Sequence, residues 1–113
     1  MTPFDGITFF RTGNRQVVVA FYRDRLGCTV WREQPDCTII RDGSYALGFC
    51  ARDPIETAGC LTFLRSDRAA VDAAHESLAD VADDAPRFND EYDIYQFFAT
   101  DPEGRTIEVQ TFE

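Results

Sequence analysis

The sequence contains no lysine. Its 11 basic residues are all arginine, set against 20 acidic ones, for a net charge of −9. Phosphate-rich partners would be repelled, which argues against nucleic acid and anionic membrane surfaces as partners. An acidic, lysine-free surface would suit a salt-rich cytoplasm, where screening relieves self-repulsion. A single histidine, His75, limits metal chemistry from the outset. No apolar run approaches the length of a membrane span. The opening "MTPFDGITFF" lacks the basic and apolar regions of a secretion signal, so a cytoplasmic protein is expected. The cysteines, Cys28, Cys37, Cys50 and Cys60, form no C-x-x-C pair and are expected as buried reduced thiols. No nucleophile–base pair and no phosphate-cradling loop is visible, so hydrolase and kinase chemistry have no support.

What the chain does have is a repeat. "ITFFR" at 7–11 returns as "LTFLR" at 61–65, an offset of 54 residues. After the first copy, Asn14 can cap the helix "RQVVVAFYRDRL", with Gly27 as its stop. "CTVWREQ", "DCTII" and "SYALGFC" read as strands, the last two joined by a turn at Asp42-Gly43. After the second copy, Asp67 can cap "RAAVDAAHESLAD", whose buried stripe is Val71, Ala74, Leu78 and Val81. "RFNDEY" is a weak strand, and "IYQFFAT" and "RTIEVQTF" are strong ones around the turn Asp101-Pro-Glu-Gly. Each half is thus β-α-β-β-β, and self-similarity over half the chain points to two copies of one unit. The 113 residues form one domain, with module one at 4–50 and module two at 58–112. A ferredoxin-like dimeric barrel would place two strands between the helices, whereas four are counted here.

"VVVAFYRDRLGCTVW", "GSYALGF" and "YQFFATDPEGRTIEVQ" resemble the vicinal oxygen chelate superfamily, which includes glyoxalase, bleomycin-resistance proteins and extradiol dioxygenases. The resemblance covers essentially the whole chain. It implies an α+β fold in which two βαβββ modules curl into a half-barrel around a small-molecule cavity, and it implies a homodimer. In metal-dependent members, side chains on the first and last strands of each module converge on a divalent ion that acts as a Lewis acid. Carried onto this sequence, those positions fall at Gly6 and about Leu47 in module one, and at Cys60 and Glu108 in module two. Gly and Leu offer no side-chain donor, and a divalent ion needs about three or four protein ligands. The expectation is therefore a protein without a metal cofactor that binds a small organic molecule. The alternative is a metal-dependent lyase, isomerase or dioxygenase with a non-standard or dimer-completed ligand set.

Glu108 is the candidate catalytic residue, as a ligand-orienting group or proton acceptor. The other reading pairs it with Arg41 or Arg105. Strand alternation places Thr8 and Phe10, Tyr45, Leu47 and Phe49, Thr62 and Leu64, and Thr106 and Gln110 on the cavity face with Cys60 and Glu108. Of these, Thr8, Tyr45, Leu47, Phe49, Cys60, Thr62, Glu108 and Gln110 are the expected ligand-binding residues, with Trp31 as a pocket wall. His75 is expected to be solvated on the outer helix.

Overall fold

The computed structural model describes residues 2–113. The chain separates into two compact units, the first ending at Thr57 and the second spanning Ala58–Glu113. The first unit runs β1 (Ile7–Thr12), α1 (Arg15–Leu26), β2 (Thr29–Glu33), β3 (Cys37–Asp42) and β4 (Tyr45–Ala51). The second runs β5 (Cys60–Leu64), α2 (Arg68–Leu78), β6 (Arg87–Asn89), β7 (Ile94–Thr100) and β8 (Thr106–Phe112). The expected α+β class of two βαβββ modules is what the structure has.

Local chemistry sets the helix limits. Asn14 Oδ1 accepts the Val17 N–H at 3.3 Å and Asp67 Oδ1 accepts the Ala70 N–H at 2.8 Å, satisfying donors that a helix start leaves unpaired. Gly27 stops α1 at φ 74°, a left-handed conformation that costs glycine little. Along α1, Val18, Tyr22 and Leu26 recur every fourth residue and are buried. In α2, Val71 and Leu78 are buried, each contributing about 1.5–3 kcal/mol. Ala74 is only half-buried. The helix also ends at Leu78, so Val81 falls outside it and bonds through its backbone to Leu78 and Thr100 instead.

Both sheets have the same topology, β1-β4-β3-β2 and β5-β8-β7-β6, with the first pair parallel and the others antiparallel. A helix covers one face of each. In the first unit Tyr22 of α1 stacks on Phe49 at 5.2 Å, and Phe10 stacks on Phe49 at 5.9 Å. In the second, His75 of α2 meets Phe97 edge-on at 5.1 Å, and Phe97 pairs with Val109, which pairs with Phe63. Phe10 and Phe63 are therefore the equivalent helix-side residues.

That equivalence corrects the repeat. The first strand and the helix of the two modules correspond at an offset of 53, the spacing of the two N-caps Asn14 and Asp67, and not at the 54 that the letters of the strands suggest. Ile7 corresponds to Cys60 and Phe9 to Thr62. Since Phe9 pairs with Gly48 and Thr62 with Glu108, the counterpart of Glu108 is Gly48, not Leu47. A one-residue slip exchanges the two faces of a strand. Thr8, Phe10, Tyr45, Leu47 and Phe49, expected on the cavity face, share the face that α1 covers.

The β7–β8 turn is held by a buried ion cluster. Asp101 accepts the backbone N–H groups of Glu103 and Arg105 at 2.8 and 3.0 Å, and its other oxygen accepts from the Arg105 guanidinium at 3.1 Å. Arg105 also bonds Glu103 at 2.9 Å. Asp101 and Arg105 are essentially inaccessible, so each charge depends on its partner. This clamp fixes the register that carries Glu108 past β7.

Candidate functional site

The uncovered face of the second module carries a chain of hydrogen bonds crossing all four of its strands. It starts at the Glu91 N–H, which donates to Asn89 Oδ1 at 3.1 Å. Asn89 Nδ2 donates to Gln96 Oε1 at 2.8 Å. Gln96 Nε2 donates to Glu108 Oε2, and from the other side the Thr62 hydroxyl donates to Glu108 Oε1 at 2.9 Å. Because Thr62 spends its proton on Glu108, the Cys60 thiol is the donor in its 3.8 Å contact with Thr62 Oγ1. Every bond points toward one carboxylate. The amide of Gln96 is committed at both ends, so a flip would set its oxygen against Glu108 and its nitrogen against Asn89.

A cavity of about 400 Å³ opens over this chain. Its floor includes Asn89, Gln96, Glu108 and Gln110, and its apolar walls are Tyr92, Ile94, Phe98 and Phe112, with Arg87 at one side. Alternation explains the division. Ile107, Val109, Phe97 and Ala99 turn to α2 and are buried, which leaves Glu108, Gln110, Gln96 and Phe98 on the other face.

Module one fills the same places with other chemistry. The ring of Phe9 lies over Gly48, and a Cβ at that position would collide with it. Where module two pairs Gln96 with Gln110, module one pairs Cys37 with Cys50, and these are joined as a disulfide. The expectation of reduced thiols is corrected here. The two-residue Gly43-Ser44 connection, with Gly43 at φ 59°, pairs Asp42 with Tyr45 and so brings Cys37 opposite Cys50. Neither Cys28 nor Cys60 is in a disulfide; Cys28 is buried and Cys60 is exposed.

The structure brings Cys60, Thr62, Glu108 and Gln110 together on one open face. Thr8, Tyr45, Leu47 and Phe49 lie on the helix side of the other module and do not join them. Trp31 packs edge-on against Phe4 at 5.0 Å in an apolar cluster with Ile7, Ile39 and Ala46, on the uncovered face of module one. Glu108 bonds Thr62 and Gln96, whereas Arg105 serves the turn and Arg41 donates to the Gly43 carbonyl at 2.8 Å. His75 is half-buried against Phe97 and not simply solvated. Gln96 and Asn89 were not foreseen. The available signal was one glutamine inside the apolar run "IYQFFAT".

A divalent ion at the positions the resemblance implies would draw on Cys60 and Glu108 in module two and, in the corrected register, on Ile7 and Gly48 in module one. The latter pair offers no donor side chain. Among the described residues, no group of three or more His, Cys, Asp or Glu side chains is placed to hold a metal. The residues present do not fit the ion.

No family model and no curated protein matches the sequence. Solved structures do match along nearly the whole chain. A glyoxalase/bleomycin resistance protein/dioxygenase family enzyme from Burkholderia phytofirmans aligns with a TM-score of 0.81 at 18% identity, covering 95% of this chain and 97% of that one. A glyoxalase/bleomycin resistance protein from Albidiferax ferrireducens gives 0.77 at 18% identity over 96% and 98%. A lactoylglutathione lyase from Agrobacterium tumefaciens gives 0.75 at 20% identity over 93% and 90%. With the repeated βαβββ order already in hand, these likenesses identify the fold of this chain as the glyoxalase/bleomycin-resistance fold.

Proposed function

We propose that this protein binds a small organic molecule over the uncovered face of its second module, without a metal ion. One observation carries the reading: a one-directional hydrogen-bond chain ends on Glu108 beneath a cavity of about 400 Å³ with apolar walls. Small-molecule sites combine this kind of apolar lining with a few fixed polar groups. A carboxylate has about four acceptor sites and no proton to give. Thr62 and Gln96 occupy two of them, so a ligand would approach Glu108 with a donor. The ligand class is an aromatic or aliphatic body carrying an N–H or O–H group. A net charge of −9 favours an amine over an anion.

Glu108 orients the ligand in this reading, and sequestration needs no further group. The test is titration calorimetry of aromatic amines and phenols against the native protein and Glu108→Gln. Hydrogen bonds to charged groups contribute about 1.5–3 kcal/mol, so the variant should bind roughly 10- to 100-fold more weakly. Equal affinity in the two proteins, or no binding at millimolar concentration across the panel, refutes the reading. The homodimer implied by the resemblance belongs to the same proposal. Sedimentation equilibrium giving only monomer would remove that part.

A further inference from the structure

The disulfide of module one lines a second cavity, of about 480 Å³, with Phe9, Gln34 and Pro35. Two charged side chains stand at one of its sulfurs. Arg52 Nη2 is 4.0 Å from Cys37 Sγ, and Asp36 Oδ1 is 3.5 Å from the same atom. Arg52 and Asp36 also pair with each other at 2.6 Å. The Ala51 N–H bonds the Asp36 carbonyl at 2.8 Å, so the Cys37–Cys50 pair occupies the adjacent site that lacks such cross-strand bonds, where side chains lie closest. Both cysteines are nearly buried, and the cavity is the approach to them.

We propose that this cavity is a thiol–disulfide exchange site for a low-molecular-weight thiol, with Cys50 as the sulfur attacked and Cys37 as the leaving group. The incoming thiolate forms a bond to Cys50 Sγ as the Sγ–Sγ bond breaks. The electron pair departs on Cys37, beside the Arg52 guanidinium. A cation next to a departing thiolate lowers its pKa and speeds its departure. Solvent then protonates Cys37, whose S–H can donate to Asp36. A second thiolate attacks the sulfur of the bound thiol, releasing the small-molecule disulfide and leaving Cys50 reduced. The protein disulfide gains two electrons, supplied by the two thiols that become oxidised.

The two charges at Cys37 act in opposite directions, and that supplies the test. L-Cysteine is mixed with the oxidised protein in a Cys60→Ser background, which removes the exposed thiol. The reaction is quenched in acid, alkylated and mapped by tandem mass spectrometry. Cysteinylation is expected on Cys50 and alkylation on Cys37. Arg52→Met should slow adduct formation about threefold or more, because the leaving thiolate loses the cation beside it. Asp36→Asn should accelerate it by a similar factor. Circular dichroism confirms that each variant is folded, and Arg52→Lys, which keeps the charge, replaces Arg52→Met if the latter does not fold and should then retain most of the native rate. Adduct mainly on Cys37, rates unmoved by Arg52→Met or moved the same way by both substitutions, a large loss in Arg52→Lys, or reduction only in denaturing urea would each overturn the proposal.

Discussion

Replacing Glu108 and Gln96 by leucine, singly and together, separates a working hydrogen-bond chain from two unrelated polar residues. Gln96 is only 6% exposed, and its Nε2 has Glu108 as its acceptor. Glu108→Leu strands that donor in a place water reaches poorly, and an unsatisfied buried donor costs ~1–3 kcal/mol. Thr62 is half-buried and can turn its hydroxyl to water, so it adds little. The single variant should therefore lose about 2 kcal/mol. Gln96→Leu removes the donor and leaves a half-buried carboxylate that water can rehydrate, at a cost of about 1 kcal/mol. The double variant removes donor and acceptor together, so its loss should fall short of the sum by about 1 kcal/mol or more. Urea denaturation of the four proteins measures the cycle. Additivity within ~0.3–0.5 kcal/mol would show that the two side chains are not coupled and that Gln96 does not preorganise Glu108.

Gly48→Ala should destabilise the protein by ~1–3 kcal/mol, because the new methyl meets the ring of Phe9, and adding Phe9→Ala should recover part of that loss in thermal melts. Asp101→Ala leaves the buried Arg105 short of its main carboxylate and two backbone donors without their acceptor, so a loss of ~3–5 kcal/mol is expected by urea denaturation. The Tyr95 phenol is held above its ordinary value of 10.0, chiefly by its hydrogen bond to Asp72. The neutral form is favoured by folding, so this contribution is complete below the unfolded pKa and is lost as pH rises through the folded one. Ultraviolet difference titration against Tyr95→Phe should show Tyr95 ionising late, and Asp72→Asn should bring it down.

Much of the architecture is legible in the sequence because local chemistry enforces it. Asn14 and Asp67 start the helices, Gly27 stops the first, and Gly43 sets the β3–β4 turn, each for a reason that does not depend on distant residues. The register between the modules is different. "ITFFR" and "LTFLR" look alike letter by letter, yet Phe10 and Phe63 are the residues that face a helix, and only packing decides that. The slip of one residue sent Leu47 and Phe49 to the wrong face. It also hid Gly48 as the partner position of Glu108. The disulfide follows from the pairing of β3 with β4, which residue counting around the turn could have exposed. In module two the placement of Cys60, Thr62, Glu108 and Gln110 on one face was legible from alternation, but the links to Gln96 and Asn89 needed the diagonal reach between neighbouring strands.

Ligand binding at Glu108 of module two without a metal is tested most directly by amide NMR of the uniformly labelled protein, titrated with a small aromatic amine in the presence of excess chelator. Shift changes concentrated on the backbone of Glu108 and Gln110 and on the side-chain amides of Gln96 and Asn89, unaltered by the chelator, are the predicted result. Changes centred on module one, or binding that appears only when a divalent ion is restored, would contradict it.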